Sequence, residues 1–245
     1  MQREAWGSSL AANEEPLRYR FKTNPSGILA VDVDGQPMGF VSTMRISSYD
    51  YDDPPSWEDL SSDGWCDDHR PHGKIVYCID LSHTRTAPRR TMDLLMAGVC
   101  RHAIAIGAQY VLVGGRMPAY HEYAERYTPD EFIRARRSTG RFVDPEVEIY
   151  SRVPGLKAIR VIPNYLADPD SLDYGVLLRW RNPFYRLPGR AVWAKSFRRL
   201  SQIEQEHDRW RVTRSRAKER TAKQPDVAED RPLASSGGDR DRDPL

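Results

Sequence analysis

Between residues 74 and 116 the chain collects side chains suited to holding a phosphorylated ligand. Arg85, Arg89 and Arg90 crowd a polar turn that joins a strand-like run to an amphipathic helix beginning near Thr91 and Met92. A helix N-terminus offers unpaired N–H groups and partial positive charge, so a basic turn beside one is a ready anion site. On the residues alone, an ordinary βαβ unit with solvated arginines stands beside that reading.

Two other clusters invite chemistry and support it less well. Cys66, Asp67, Asp68, His69 and His72 resemble a metal set, but their spacing fits no standard structural zinc site and no second cysteine pair is present. No metal is expected. Arg209, Arg211, Arg214, Arg216, Lys218 and Arg220 end a helical pattern. Such a run can track a nucleic-acid backbone, but cations at a helix C-terminus are favourable in themselves, and nucleic acid is not the expected partner.

The bulk properties are those of an ordinary water-soluble protein. A net charge of +2 creates no general attraction to polyanions, and Cys66, Cys78 and Cys100 form no disulfide framework. No apolar run reaches the ~20 residues of a membrane span, and no secretory leader is evident at the start, so a cytoplasmic location is expected.

The elements that must position these groups can be read in order. Residues 1–26 carry no clear periodicity, although residues 17–22 alternate as a short edge strand would. Residues 28–33 and 38–46 are strand-like and meet at Asp34-Gly35, a strong hairpin signal. Residues 47–73 form a long acidic loop. In the next run Ile75, Tyr77, Ile79 and Leu81 alternate with Val76, Cys78 and Asp80; Leu95, Val99, His102 and Ile106 then recur at helical spacing, with Gly107 as a stop. Residues 110–113 are a short apolar strand. Thr128-Pro129 with Glu131 is a capping box, and Asp144-Pro145 opens another helix reaching about Val153. Residues 158–166 and 174–180 read as two closing strands. Residues 189–220 read as a long amphipathic helix whose Trp193 and Trp210 could pack on the same sheet or on a second copy of the chain, and residues 221–245 as a disordered tail.

This order of elements resembles the GNAT N-acetyltransferase superfamily. The segments GRMPAYHEYA (residues 115–124), VIPNYL (161–166) and YGVLLRWRNP (174–183), with PSWE (55–58), resemble the GNAT-like module found fused to nitrilase-type carbon–nitrogen hydrolases. The resemblance spans residues 27–185 and implies an α/β (α+β) fold: a mixed, mostly antiparallel twisted sheet around a central amphipathic helix. It further implies that two adjacent strands part to admit the pantetheine arm of acetyl-CoA, with backbone near Ile79 or Leu81 on the thioester carbonyl. Arg85, Arg89, Arg90, Thr91 and Met92 would face the pyrophosphate. Tyr150 would protonate the leaving thiolate, while Tyr120 and His121 would line the pocket of a small-molecule amine. The family's phosphate turn carries glycines, whereas residues 83–93 here contain none and include Pro88. That departure keeps a second expectation in view, a catalytically degenerate module that binds a ligand or a protein.

Overall fold

Asp34 and Gly35, both with positive φ (54° and 78°), turn the chain back on itself in the geometry that matches the twist of paired strands. They join β1 (Ile28–Val33) to β2 (Gln36–Ile46). The computed structural model describes residues 13–196, which form a six-stranded sheet ordered β1-β2-β3-β4-β6-β5 with β3 (Ile75–His83), β4 (Tyr110–Arg116), β5 (Leu156–Ile162) and β6 (Gly175–Arg181). Every pairing is antiparallel except β3 with β4. A parallel pair needs a crossover, supplied here by a helix.

That helix is α3 (Thr91–Ile106), after the short α1 (Glu14–Thr23) and α2 (Trp57–Ser61). Its apolar stripe, with Leu95, Val99 and Ala103 buried, lies over Val41, Val76, Cys78, Val111 and Val113 on one face of the sheet. Gly107, at φ 68°, ends it in the left-handed conformation that a side chain would resist. The opposite face, with Tyr77, Ile79, Leu112, Ile162 and Leu177, is covered by the 47–73 loop through Tyr49, Trp57 and Cys66, and by Tyr165. The mixed, mostly antiparallel sheet and central helix agree with the architecture that the family resemblance implies.

Two readings of the elements need correction. Residues 17–22 are not an edge strand but lie within α1, and the poorly defined N-terminal segment contains a docked helix. Six residues cannot separate the two periods. The deciding features are Glu14 and Glu15 in the first turn with Arg20 and Lys22 in the last, matching the helix dipole. Residues 163–166 leave the strand, because Pro163 offers no N–H and Asn164 turns left-handed at φ 49°. The C-terminal helix is seen only as α6 (Arg190–Ser196), where Trp193 stacks on Phe184 at 5.1 Å. The rest of it, the basic cluster and the tail lie outside the described residues. The remaining helices, α4 (Pro129–Phe132) and α5 (Pro145–Ser151), begin where expected, with the Thr128–Glu131 capping box formed in full.

α1 is held by charge rather than by an apolar stripe. Arg20 is 3% exposed and donates to Asp80 of β3 and, at 2.7 Å, to the hydroxyl of Ser42. Removing one partner of a buried pair strands the other charge in a poor solvent for it. Arg20→Met is therefore expected to lower stability by about 3–5 kcal/mol, measured by thermal or urea denaturation, with α1 becoming the first segment to exchange its amide hydrogens.

Candidate functional site

β3 and β4 pair over four residues and then part. The register runs from Ile75 opposite Tyr110 to Cys78 opposite Val113 and goes no further. Beyond it, Leu81 to His83 stay with β2, and Gly114 to Arg116 stay with β6. The register of β2 against β3 shifts where Ser42 meets Asp80 and Thr43 meets Cys78, so Ile79 is an extra, bulged residue at the point of divergence. A bulge increases local twist and turns the strand away from its neighbour.

Backbone groups exposed by such a split need partners. Two aromatic donors provide them. The Trp57 indole donates to the Ile79 carbonyl at 3.0 Å, and the Tyr165 hydroxyl donates to the Gly114 carbonyl at 3.0 Å. The two donors are tied together, since the Trp57 N–H bonds the Tyr165 carbonyl at 2.7 Å. Each has a local reason to be there. Ser56 caps α2, accepting from the Asp59 N–H, which sets Trp57 at the first helical position. Tyr165 follows the left-handed Asn164 and fits where glycines stand: a Cβ on Gly114 would lie 2.1 Å from the Tyr165 oxygen and 2.4 Å from that of Tyr77, and one on Gly175 would lie 2.4 Å from the Tyr165 ring.

The split opens into a cavity of about 910 Å³. Cys78, Ile79 and Leu81 line one side, Val113 and Gly114 the other, and Glu146 and Tyr150 of α5 a third. Glu146 and Tyr150 are one turn apart and share a helix face. Burial, followed by the charge of Glu146, drives the Tyr150 phenol well above its usual range, so it holds its proton. The Cys78 thiol is pushed up to about 12 by burial and remains a thiol, a poor nucleophile. Glu146 is pushed up to about 8 by burial and by Asp144, with Arg116 offsetting part of the shift. Its carboxylate accepts the backbone N–H of Arg116 at 3.2 Å. The Arg116 guanidinium grips Asp168 with two hydrogen bonds of 2.7 and 2.8 Å. Burial acts against ionisation of Asp168, yet hydrogen bonds from Arg116 and Ser171 hold its carboxyl below the ordinary range.

The structure brings together part of the set read from the sequence. Ile79, Leu81 and Tyr150 meet at the cavity. Arg85, Arg89, Arg90, Thr91 and Met92 do not line it; they sit past the end of β3, in the turn and first helical residues of α3. Arg90 reaches Asp93 at 3.6 Å, and the buried Thr91 packs its methyl toward Gly39 while its N–H bonds the Pro88 carbonyl. Tyr120 is buried among Phe132 and Tyr174 with its hydroxyl on the Tyr127 carbonyl. His121 is exposed and its ring bonds the carbonyl of Asp170. Neither lines the cavity. His69 accepts the Arg45 N–H, and no cluster fit for a metal occurs among the described residues. Sequence reasoning passed over Trp57, Tyr165 and Glu146. The last was findable as an acidic residue four before Tyr150 in a capped helix; the two aromatics reveal themselves only through distant carbonyls.

No protein-family model matches the chain. The uncharacterized N-acetyltransferase YkwB of Bacillus subtilis (strain 168) is 31% identical over 179 residues, covering 71% of this chain and 76% of that protein. The probable hydrolase YhcX of the same organism is 29% identical over 187 residues, and the chain spans only 36% of its length. Among solved structures, the loading GNATL domain of CurA from Lyngbya majuscula superposes with a TM-score of 0.64 at 18% identity, over 74% of this chain and 89% of that one. The GphF GNAT-like decarboxylase in complex with isobutyryl-CoA gives 0.60 at 19%, over 74% and 91%. These two likenesses concern the fold.

Two outcomes follow from the geometry. Gly114→Ala forces a methyl into the two tyrosine hydroxyls and is expected to cost about 1–3 kcal/mol as overpacking, read by denaturation together with a changed near-UV tyrosine signal. Glu146, raised from 4.5 to about 8, disfavours the fold once ionised. Between those values the folded state binds the extra proton, so stability falls as pH rises through that window. Glu146→Gln is therefore expected to melt higher than the parent at pH 9, with the gap closing below pH 4.5 in a pH series of melting curves.

Proposed function

The chain belongs to the GNAT N-acetyltransferase superfamily, and from that membership we propose that it moves an acetyl group from acetyl-CoA to an amine of a small molecule. The carrying observation is the split between β3 and β4, with Tyr150 standing over it. With the Ile79 and Gly114 carbonyls occupied, the slot favours a ligand that brings its own carbonyl oxygens, as the amides of pantetheine and a thioester do. Backbone N–H near Ile79 or Leu81 polarises the thioester carbonyl. The amine attacks it directly, because Cys78 is no nucleophile. The C–N bond forms as the C–S bond breaks, Tyr150 gives its proton to the thiolate, and the proton shed by the attacking nitrogen restores the neutral phenol.

Charge supports the orientation. Of the acidic residues that line the cavity, Asp80 and Asp168 are balanced by Arg20 and Arg116, and Glu58, Asp63 and Asp170 leave an acidic surplus that disfavours phosphates. The phosphate end is assigned to the basic turn with Arg85, Arg89 and Arg90, next to the N-terminus of α3. The finer kinship, with the module joined to nitrilase-type hydrolases, is supported by the limited share of the probable hydrolase that the chain spans.

The glycine-free turn favours a second reading, a module that binds acyl-CoA or a partner without turnover. One experiment separates the two. Isothermal titration with acetyl-CoA should give saturable heat, and thiol release with primary amines should fall about 10²–10⁴-fold in Tyr150→Phe while acetyl-CoA affinity is kept. Binding without thiol release from the parent protein would favour the module, and no heat at millimolar ligand would remove both acyl-CoA readings.

A further inference from the structure

We propose that a second cavity, at the β5 edge of the sheet, binds a zwitterionic ligand of the amino-acid or short-peptide class. Arg160 holds the ligand's carboxylate, and the aspartates lining the same cavity hold its ammonium. The cavity shares no lining residue with the split between β3 and β4, so the inference stands apart from the acyl-CoA reading.

The cavity measures about 750 Å³, a volume suited to a small ligand. β5 is the last strand of the sheet, and its second half supplies Arg160. The loop before α2 supplies Asp52 and Asp53, α2 supplies Asp59, and the first turn of α4 supplies Asp130. Local chemistry keeps these elements from closing on one another. Pro54, Pro55, Pro129 and Pro163 line the cavity and have no N–H, so none can extend a hydrogen-bonded ladder across it.

The charges identify the ligand. Among the described residues Arg160 forms no ion pair, although four aspartates line the cavity with it, and its Nε is shut off from solvent without a hydrogen-bond partner. Tyr49, 8% exposed and within the field of Arg160, likewise has a hydroxyl without a partner. Asp50, also within that field, is occupied by the N–H groups of Asp52 and Asp53. Buried polar groups are nearly always satisfied, so two unmatched ones in one place call for an outside acceptor. A carboxylate meets that need, because a guanidinium grips it through two parallel hydrogen bonds. Four aspartates against one arginine repel a simple anion, and a simple cation leaves Arg160 unmatched. A molecule carrying both charges answers both, while the proline rings offer its carbon chain an apolar surface.

The test is isothermal titration of the full chain, without any acyl donor, using trialanine, its N-acetyl form, which lacks the ammonium, and its amide, which lacks the carboxylate. Trialanine should bind saturably, and each capped form should bind about tenfold or more weakly, the worth of one charge-assisted contact. Arg160→Gln should bind trialanine no better than the amide. Replacement of Asp52, Asp53 and Asp130 by Asn should abolish the preference over the N-acetyl form. Those three aspartates are exposed, so their replacement tests the site even where Arg160→Gln fails to fold. Alanine binding as tightly as trialanine assigns the site to free amino acids, and weaker binding assigns it to peptides. Equal binding of either capped form by the parent protein, preferences that persist in the variants, or no saturable heat with trialanine or alanine at millimolar concentration would overturn the proposal. A parent protein that binds trialanine but not acetyl-CoA would lose the acyl-CoA reading and keep this site.

Discussion

Everything at the cavity depends on two strands being prevented from zipping. Parallel β3 and β4 could continue their ladder past Cys78 and Val113, and each added pair would be favourable. The bulge at Ile79 turns β3 away, and the Trp57 and Tyr165 donors satisfy carbonyls that the lost ladder would have used. A buried carbonyl without a partner costs about 1–3 kcal/mol, so these aromatic contacts make an open split tolerable. Gly114 and Gly175 complete the device by leaving room for the Tyr165 ring.

The same split organises the charges. On one flank Arg20 enters from α1 and balances Asp80, which a bare strand could not keep buried and ionised. On the other, Arg116 ends β4 and is neutralised by Asp168, itself fixed by Ser171. Two internal pairs thus brace the two diverging strands. Glu146 and Tyr150 are carried between them on a helix whose Asp144 cap accepts two of its first N–H groups. The helix is short, so its direction is fixed by the cap and by the burial of Val147 and Tyr150 rather than by propensity.

Much of the scaffold was legible because its signals are local. Asp34-Gly35 dictates a hairpin, Thr128 and Asp144 dictate helix starts, and Gly107 dictates a helix end, each through the conformation of one or two residues. The split was legible only through the family resemblance, since periodicity marks strands and not where their pairing stops. Residues 17–22 misled because alternation over six residues fits either period, and the tertiary partner of Arg20 lies sixty residues away. Tyr120 looked like a pocket residue because it follows β4 closely, yet the short turn after Met117 sends it into the core. Trp57 and Tyr165 stood in recognisable motifs, but their purpose is a hydrogen bond to backbone that composition cannot reveal. Glu146 could be found by its spacing, four residues before Tyr150, but its burial beside Asp144 is a property of the folded chain.

The central claim is that the gap between β3 and β4 is the seat of a thioester. A crystal structure of the full chain with acetyl-CoA tests it most directly. The account predicts the pantetheine arm between residues 79–81 and 114–116, with the acetyl group beside Tyr150 and Glu146. A nucleotide bound elsewhere, or a gap left empty at saturating acetyl-CoA, would contradict it.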